Sequence, residues 1–292
     1  MSCFDDVLKL IRLSVDLYLS ARVCGEWSLE AHPEGETCFH FAIQNEALMT
    51  VPGVGEWHLQ EGDLVIFPRE VAHNLTPITD MSGPQQLLSI AQSQNIPGTS
   101  LVCGKVRFKH LGSEMLLDAL PKVFVVKRDN TTPWLDRMLA LIVDESLRTE
   151  SANSVMMDRL CELLFAYSLR HFVETSEQPL GVLSLFSHRQ IGKAIQAIHH
   201  APHEPWQLVT LAQSAAMSRT QFAETFKSLS GWTPMQYVTW WRMQLAWNYL
   251  ESGTPVAAVA DKVGYQSEAA FSRAFRKQFK VSAGQVRRGQ LV

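Results

Sequence analysis

The stretch Asp261 to Lys280, DKVGYQSEAAFSRAFRKQFK, decides how the rest of the chain is interpreted. Its phenylalanines recur every four residues, which places them on one face of a helix: Phe271, Phe275 and Phe279. Ser267 stands where a serine caps the start of such a helix, and Gly264 ends the short helical pattern before it. The spacing therefore predicts a short helix, a tight turn and a longer helix with one apolar face.

The same pattern occurs once more upstream. A first short helix is indicated by Leu208, Leu211, Ala212 and Ala215, and its later counterpart by Val256, Val259, Ala260 and Val263. A turn at Met217 and a capping Ser218 then precede Phe222 and Phe226, at the distances from the cap that are found after Ser267. This internal repeat predicts two helix-turn-helix units.

A helix that joins the two copies is predicted from Pro234 to about Glu251. Proline is favoured in the first helical turn, and Ser252 to Pro255 (SGTP) ends the pattern. Such a helix rises ~27 Å at 1.5 Å per residue. The two longer helices can then lie about one turn of a DNA duplex apart, ~34 Å, in successive major grooves.

Two ordered motifs carry a resemblance to a known family. Gly231 to Tyr237 (GWTPMQY), Arg242 to Ala246, and Val256 to Phe279 resemble the DNA-binding domain of the AraC/XylS family of bacterial transcription regulators over about 186–288. The resemblance implies base-facing residues Arg219, Thr220, Ala223, Glu224, Glu268, Ala269 and Arg273, and phosphate-facing residues Lys227, Arg276 and Lys277. The chain departs from the family at its end, with Lys280, Ala283 and Val286 in place of Gly, Pro and an aromatic residue.

Charge is divided unevenly along the chain. Residues 1–184 carry 14 Lys and Arg against 24 Asp and Glu, a net charge of −10, whereas residues 185–292 carry 12 against 5, a net +7. The two values give the overall −3. Only the C-terminal part therefore has the positive charge that neutralises phosphates.

At 292 residues, the chain is long enough for two domains. An acidic N-terminus and the lack of an apolar run long enough to span a membrane predict a cytoplasmic protein without a signal peptide. Five cysteines without close pairing, in a reducing compartment, argue against a structural disulfide framework.

The N-terminal part is predicted to be β-structure. Phe4, Val7, Leu8, Ile11 and Val15 fit one face of a short helix. Short apolar segments separated by turn residues then predict a jelly-roll sandwich or barrel, with strands at Val23–Leu29, Cys38–Ile43, Ala47–Val51, Glu56–Leu59, Leu64–Phe67, Leu87–Ile90 and Leu101–Phe108. The predicted fold class is α+β with two domains: a β jelly-roll with a helical linker, then an all-α tandem helix-turn-helix domain.

Gly62 to Pro68 (GDLVIFP), followed by His73, resembles the second half of the cupin signature, and His40 stands near the expected place of the first half. The run from Leu17 to Pro121 looks like the sensory cupin fused to AraC-type domains. His40 and His73 are candidate ligand-binding residues. Together with Cys103 they form a candidate nitrogen and sulfur site for zinc or another transition metal. The alternative is that each histidine is simply hydrogen-bonded in the core.

Cys24 and Cys103 are candidate redox sensors. Within the resembling group they fall where a reactive-chlorine-responsive regulator carries its redox cysteines. Arg22 and Gly25 flank Cys24 at a strand edge, a setting that can stabilise a thiolate. Cys103 lies in an apolar strand, where a cysteine is usually an inert small hydrophobe, and Cys38 and His58 are further neighbours of note.

Between Pro133 and about Thr175 the apolar period is helical. The predicted domains are a cupin sensor at 1–125, a helical linker and dimerisation region at 126–184, and an AraC-type DNA-binding domain at 185–292. Trp240 and Trp247, seven residues apart, suggest an exposed contact surface on the connecting helix.

The sequence thus predicts a DNA-binding transcription regulator whose cupin senses an oxidant or a small ligand. As partners, the resemblance implies double-stranded DNA, RNA polymerase and a second copy of the chain. The competing interpretation is an enzyme, a metal-dependent cupin dioxygenase or isomerase with a helical appendage. Its incomplete set of metal ligands argues against it.

Overall fold

The computed structural model describes residues 6–8, 13–31, 36–69, 71–79, 82–108, 117–129, 132–148, 154–176 and 181–290. The chain forms two compact units. One consists of Leu13–Phe108 and Leu120–His171. The other consists of Phe172–Val292 with the described parts of Met1–Arg12 and Lys109–Ala119.

The first unit is built on two antiparallel sheets. Their strands are β1 (Leu13–Cys24), β2 (Leu29–Ala31), β3 (Thr37–Gln44), β4 (Ala47–Val51), β5 (Gly55–Leu59), β6 (Leu64–Phe67), β7 (His73–Thr76), β8 (Gln86–Leu88), β9 (Thr99–Phe108) and β10 (Phe124–Val126). One sheet has the order β10-β6-β3-β9-β1-β8 and the other β2-β7-β4-β5. Residues of both sheets, such as Val23, Phe67, Met49 and Leu75, share one core. This is the predicted β sandwich, with the strands at Ala47–Val51 and Leu64–Phe67 at their predicted bounds.

The turn before β6 explains the glycine and aspartate of the cupin-like motif. Gly62 has a φ of +87°, and a Cβ there would lie 2.2 Å from Cδ of Arg128. Asp63 is buried, and its carboxylate accepts hydrogen bonds from the backbone N–H of Gln60 and of Arg128, each at 2.9 Å. Nζ of Lys127 lies 2.6 Å from the same carboxylate. Through Asp63, the motif therefore links the start of β6 to the residues that follow β10.

Two helices follow the sheets, α1 (Pro133–Arg148) and α2 (Val155–Thr175). The apolar stripe that predicted α1 is buried, with Leu135, Met138, Leu139 and Ile142 inside. Ser154, at the predicted junction, caps α2 by accepting a hydrogen bond from the Met157 N–H. Among the described helices, none is both long enough and apolar enough to cross a membrane.

The second unit is helical. After a 3₁₀ turn at Gly181–Leu183 come α3 (Ser184–Ser187), α4 (Arg189–His200), α5 (Leu208–Ser214), α6 (Arg219–Ser230), α7 (Pro234–Glu251), α8 (Val256–Lys262), α9 (Glu268–Phe279) and α10 (Ala283–Arg287). Thr233 and Gln236 form a capping box that starts α7, with Pro234 in its first turn as predicted. Ser282 and Gln285 form another that starts α10, where the chain departs from the family pattern.

Three expectations from the sequence are wrong. Val23–Leu29 is not one strand, since β1 ends at Cys24 and β2 begins at Leu29. Val15 lies in β1 and not in an N-terminal helix; residues 6–8 are helical, and Phe4 and Ile11 lie outside the described residues. Trp240 and Trp247 are buried, each 4% exposed, because α7 has neighbours on nearly every side. Trp247 packs against Phe275 and Phe279 of α9, so it belongs to the core and not to a contact surface.

Candidate nucleic-acid interface and buried histidine cluster

The first candidate recognition helix is α6. Ser218 caps it, since its Oγ accepts a hydrogen bond from the Gln221 N–H at 3.2 Å. Phe222 and Phe226 are fully buried. The predicted base-facing and phosphate-facing residues lie on the other side: Arg219, Thr220, Glu224 and Lys227 are exposed, and Ala223 is half-buried.

The second candidate recognition helix is α9, which repeats the first. Ser267 caps it through the Ala270 N–H at 3.2 Å, and the three phenylalanines that predicted it are all buried. The predicted contact residues are exposed: Glu268, Ala269, Arg273, Arg276 and Lys277. Each helix therefore presents the predicted set of residues to solvent.

The two copies also agree in the turns that precede these helices. The N–H of Met217 bonds to the Ala212 carbonyl after α5, and the N–H of Tyr265 bonds to the Ala260 carbonyl after α8. Before each bond stands a residue of positive φ, Ala216 at +53° in one copy and Gly264 at +78° in the other. Gly264 cannot be replaced freely, because a Cβ there would lie 2.5 Å from the His203 carbonyl oxygen.

Charged side chains on both recognition helices are not committed to other groups of the protein. Among the described residues, no salt bridge or side-chain hydrogen bond involves Arg219, Lys227, Arg273 or Arg276. The same holds for Glu224 and Glu268, so neither acidic residue neutralises a basic neighbour. The exposed cations are therefore available to phosphates and base edges.

Arg242 belongs to the family-like motif but has a structural role. Its Nε donates to the Pro202 carbonyl and its Nη2 to the Glu204 carbonyl, both at 2.7 Å. The guanidinium also lies 6.0 Å from the centre of the Tyr265 ring. Burial lowers its pKa, with a smaller opposing effect from Tyr265. Arg242 thus holds the loop after α4 against α7. Its guanidinium is hydrogen-bonded within the protein.

A polar cluster lies inside the β sandwich. Cys38 and His40 are on β3, His73 begins β7, and all three are buried. Nε2 of His40 lies 2.6 Å from Nε2 of His73, and Nδ1 of His73 lies 2.6 Å from the Val71 carbonyl oxygen. One ligand atom from each of the three residues lies within 4.8 Å of the others, a group that can hold a metal ion.

The environment of His40 keeps its imidazole neutral. Burial, and to a smaller extent the neighbouring His73, lower its pKa from 6.5 to about 3. Nδ1 of His40 is buried without a hydrogen-bond partner among the described residues. A neutral imidazole is the form that binds a metal.

The structure brings together two of the three predicted metal ligands and adds one that the sequence analysis only noted. The compact group contains Cys38 where the prediction had Cys103. Cys103 lies on β9 directly opposite His40, and burial raises the pKa of its thiol well above the usual range. The signal for Cys38 was available, because residues two apart in a strand point to the same face, and Cys38 and His40 are so spaced.

Cys24, the last residue of β1, packs against the same glycine as the buried Arg22. It is 6% exposed, and its Sγ lies against Gly98, where a Cβ would come within 2.7 Å of it. The Arg22 side chain packs against the same glycine. Within the part of the chain that the structure describes, its guanidinium donates to three neutral acceptors, the Ile96 carbonyl at 2.6 Å, Gln44 at 3.2 Å and Ser100 at 3.1 Å.

The structure does not bring Cys24 and Cys103 within disulfide distance. Cys103 is paired with Leu19 in the β1 and β9 register, and Thr99 with Val23. Cys24 is therefore about five residues further along the strands, or ~16 Å at 3.3 Å per residue. A disulfide requires Cα atoms no more than about 7 Å apart. His58, also noted in the sequence, is a surface residue 2.7 Å from Glu46.

Comparisons with known proteins agree with both halves of this description. A family model described as Cupin matches residues 3–174, and one described as Helix-turn-helix domain matches residues 211–289. The transcriptional regulator AlkR of Acinetobacter baylyi is 30% identical over 296 residues, 96% of this chain and 95% of its own. The transcriptional activator RclR of Escherichia coli, named RCS-specific, is 28% identical over 90% of this chain and 88% of its own.

A putative AraC-like transcription regulator of Streptomyces lividans is 28% identical over 99% of this chain and 98% of its own. All three relatives are named as regulators, which decides against the cupin enzyme considered from the sequence. One conclusion follows from the two capped helices, the β sandwich and these sequence similarities. The chain belongs to the AraC family of DNA-binding transcriptional regulators and combines an N-terminal cupin domain with a C-terminal helix-turn-helix domain.

Proposed function

We propose that this regulator reads its operator with α6 and α9 in two successive major grooves. Arg219, Thr220, Ala223 and Glu224 face bases in one groove, and Glu268, Ala269 and Arg273 face bases in the other. Lys227, Arg276 and Lys277 contact phosphates. The observation that carries the proposal is that both helices bury their phenylalanines and expose basic side chains without ion-pair partners among the described residues.

The chain acts as a homodimer in this proposal. The cupin sensor comprises 1–125, the dimerisation linker 126–184 and the DNA-binding domain 185–292. Large apolar side chains are exposed on the linker helices, with Val155 at 72%, Met156 at 61% and Leu141 at 50%. A second copy would remove them from water. Sedimentation should show a dimer for the wild type and a monomer for Met156→Glu; an unchanged dimer argues against this surface.

The signal is an oxidant sensed through Cys24 and Cys103. Hypochlorous acid oxidises the Cys24 thiol to sulfenic acid with release of chloride and a proton. The buried Arg22 near Cys24 and the RCS-specific name of the E. coli relative support this choice. Because Sγ of Cys24 is packed against Gly98 and Arg22, an added sulfenic oxygen would disturb this packing, and the change would bias RNA polymerase recruitment at the promoter.

The test is to sequence the DNA that copurifies with the full chain, with and without hypochlorite, and then to assay the recovered promoter. Cys24→Ser should abolish the response, whereas Cys161→Ser should preserve it. Cys161 is the matched control because it is also buried, with burial raising its pKa to about 12. A normal hypochlorite response from Cys24→Ser would refute the oxidant proposal without affecting DNA recognition.

A small ligand held in the barrel by His40 and His73 is the second candidate. It is favoured by a polar pair of imidazoles inside an otherwise apolar core. In that case, His73→Gln would lose the response to the ligand while Cys24→Ser retained it. The two signals are thus separated by the same promoter assay.

A further inference from the structure

The two recognition helices carry the same pair of charges in opposite order. The first residue after the capping serine is Arg219 in α6 and Glu268 in α9. The sixth residue after the cap is Glu224 in α6 and Arg273 in α9. An arginine and a glutamate have thus exchanged places between the two copies of the motif.

These positions are equivalent because the two helices expose the same faces. In both, the first, second, sixth and ninth residues after the cap are exposed, the fifth is half-buried, and the fourth and eighth are buried phenylalanines. Each cap also accepts from the backbone N–H three residues later, at 3.2 Å. A side chain at a given distance from its cap therefore leaves the helix in the same direction in both copies.

Helix stability does not explain the order of charges in α6. The first turn of a helix carries a partial positive charge, which favours an acidic side chain and disfavours a basic one. Glu268 agrees with this preference, whereas Arg219 opposes it. The order of charges in α6 therefore has another cause.

The two charges of one helix do not neutralise each other. Side chains that pair along a helix are three or four residues apart, whereas these are five apart. No salt bridge within the described part of the chain involves any of the four. All four side chains are thus available to partners outside the protein.

Arginine and glutamate select the two members of one base pair. In the major groove, arginine donates to O6 and N7 of guanine, and glutamate accepts from the N4 amino group of cytosine. If arginine at one position of the helix contacts guanine on one DNA strand, glutamate at the equivalent position contacts cytosine on that strand. The base pair is the same, but its two bases have exchanged strands.

We propose that the two halves of the operator differ by the inversion of two G·C pairs. Along one strand, guanine faces Arg219 and cytosine faces Glu224 in the first half. In the second half, cytosine faces Glu268 and guanine faces Arg273. The paired positions lie ~7.5 Å apart along the helix at 1.5 Å per residue, or ~two base pairs at 3.4 Å each.

This inference rests on the proposed reading of DNA by α6 and α9, and it adds the bases that four residues select. It also gives the bound protein a direction. Because the halves of the operator differ, α9 on the site of α6 would place glutamate against guanine and arginine against cytosine. Binding displaced by half an operator is therefore disfavoured.

The experiment uses the full chain and the operator recovered from copurifying DNA. The variant Arg219→Glu/Glu224→Arg gives α6 the charge order of α9 and leaves the net charge unchanged. Wild type should prefer the recovered operator to one in which the two G·C pairs of the first half are inverted. The variant should prefer the inverted DNA, by at least about fivefold for each base pair, the lower end of the selectivity from one pairing of side chain and base.

The control is an operator in which the two G·C pairs of the second half are inverted instead. It should bind wild type and variant more weakly by the same factor, because α9 is unaltered, and this result also shows that the variant is folded. A variant that kept the preference of wild type would overturn the inference, as would a recovered operator with guanine at the same position of both halves on one strand. If wild type bound no DNA selectively, the proposed function itself would fail.

Discussion

Ser218 and Ser267 make the same hydrogen bond in the two recognition helices. Each Oγ accepts from the backbone N–H three residues later, and the distance is 3.2 Å in both. Both helices therefore begin at a defined residue, and the side chains proposed to face DNA keep the same rotational position relative to the start of each helix. In the proposed mode of DNA binding, capping serves recognition as well as stability.

Replacing either cap should destabilise the DNA-binding unit. Ser218→Ala and Ser267→Ala each leave a backbone N–H without its acceptor, and each should lower the free energy of unfolding by about 0.5–2 kcal/mol. Urea unfolding followed by circular dichroism measures this. Ser228→Ala, at an exposed position within α6, is the control and should change stability by less than about 0.5 kcal/mol. Equal effects at Ser218 and Ser228 would show that the cap has no special weight.

Arg273 and Lys277 should differ in what their loss does to DNA binding. Arg273→Ala should cost ~1–3 kcal/mol on the best operator and relax selectivity at one base pair. Lys277→Ala should weaken binding to all sequences alike and reduce the salt slope by about one. Titrations of operator and single-base variants at several salt concentrations separate these effects. Undiminished base selectivity in Arg273→Ala contradicts the assignment.

Lys280→Gly should stabilise the protein. Lys280 ends α9 with a φ of +62°, and the residue that ends α6 in the same way is Gly231 at +75°. A left-handed backbone is unfavourable for lysine and neutral for glycine, so the exchange should raise the free energy of unfolding by about 0.5–1 kcal/mol. Lys280→Ala keeps the strained backbone and should bring no such gain. Thermal unfolding of both variants tests this prediction. An equal gain in stability in both would mean that the loss of the lysine charge, and not the relief of the backbone, is the cause.

The cupin barrel should lose stability in acid because of His40. Its pKa is about 3 in the folded protein against 6.5 for an ordinary histidine, so between these pH values the unfolded chain binds more protons. Stability is then highest above pH 6.5 and falls toward pH 3, by at most about 1.4 kcal/mol per pH unit from this residue.

The measurement is urea unfolding of chelator-treated protein at a series of pH values. His40→Gln should flatten the acid slope, whereas the control His58→Gln, at an exposed position, should leave it unchanged. Only slopes are compared, since the absolute stability of the His40 variant also reflects its packing. An unaltered slope in His40→Gln would mean that other groups dominate acid unfolding.

Local spacing was enough to predict most of the fold. The phenylalanines of α6 and α9, the proline of α7 and the strand at Ala47–Val51 each follow a period or a terminal signal of the sequence. Sequence spacing failed where the number of neighbours mattered. A helix packed on several sides has no polar face, so Trp240 and Trp247 could not be assigned to core or surface from their spacing.

The barrel cluster was predicted in part for a similar reason. His40 and His73 come from separate strands, and the resemblance to the cupin signature was enough to name both. Choosing between Cys38 and Cys103 required the register of β3 against β9 and the distances across the barrel. Strand pattern tells which face a residue takes, but it does not give its distance from residues on another sheet.

The burial of α7 has a consequence for the promoters that this protein serves. From Trp240 to Glu251 no residue of the helix is exposed, so we expect α7 to provide no hinge about which α6 could move relative to α9. If α6 and α9 bind successive grooves as proposed, single-base changes in a promoter should lower affinity gradually, but an insertion of half a helical turn would move one half of the operator to the far side of the duplex. The two halves of the operator could then be brought back to one face only by twisting the DNA itself.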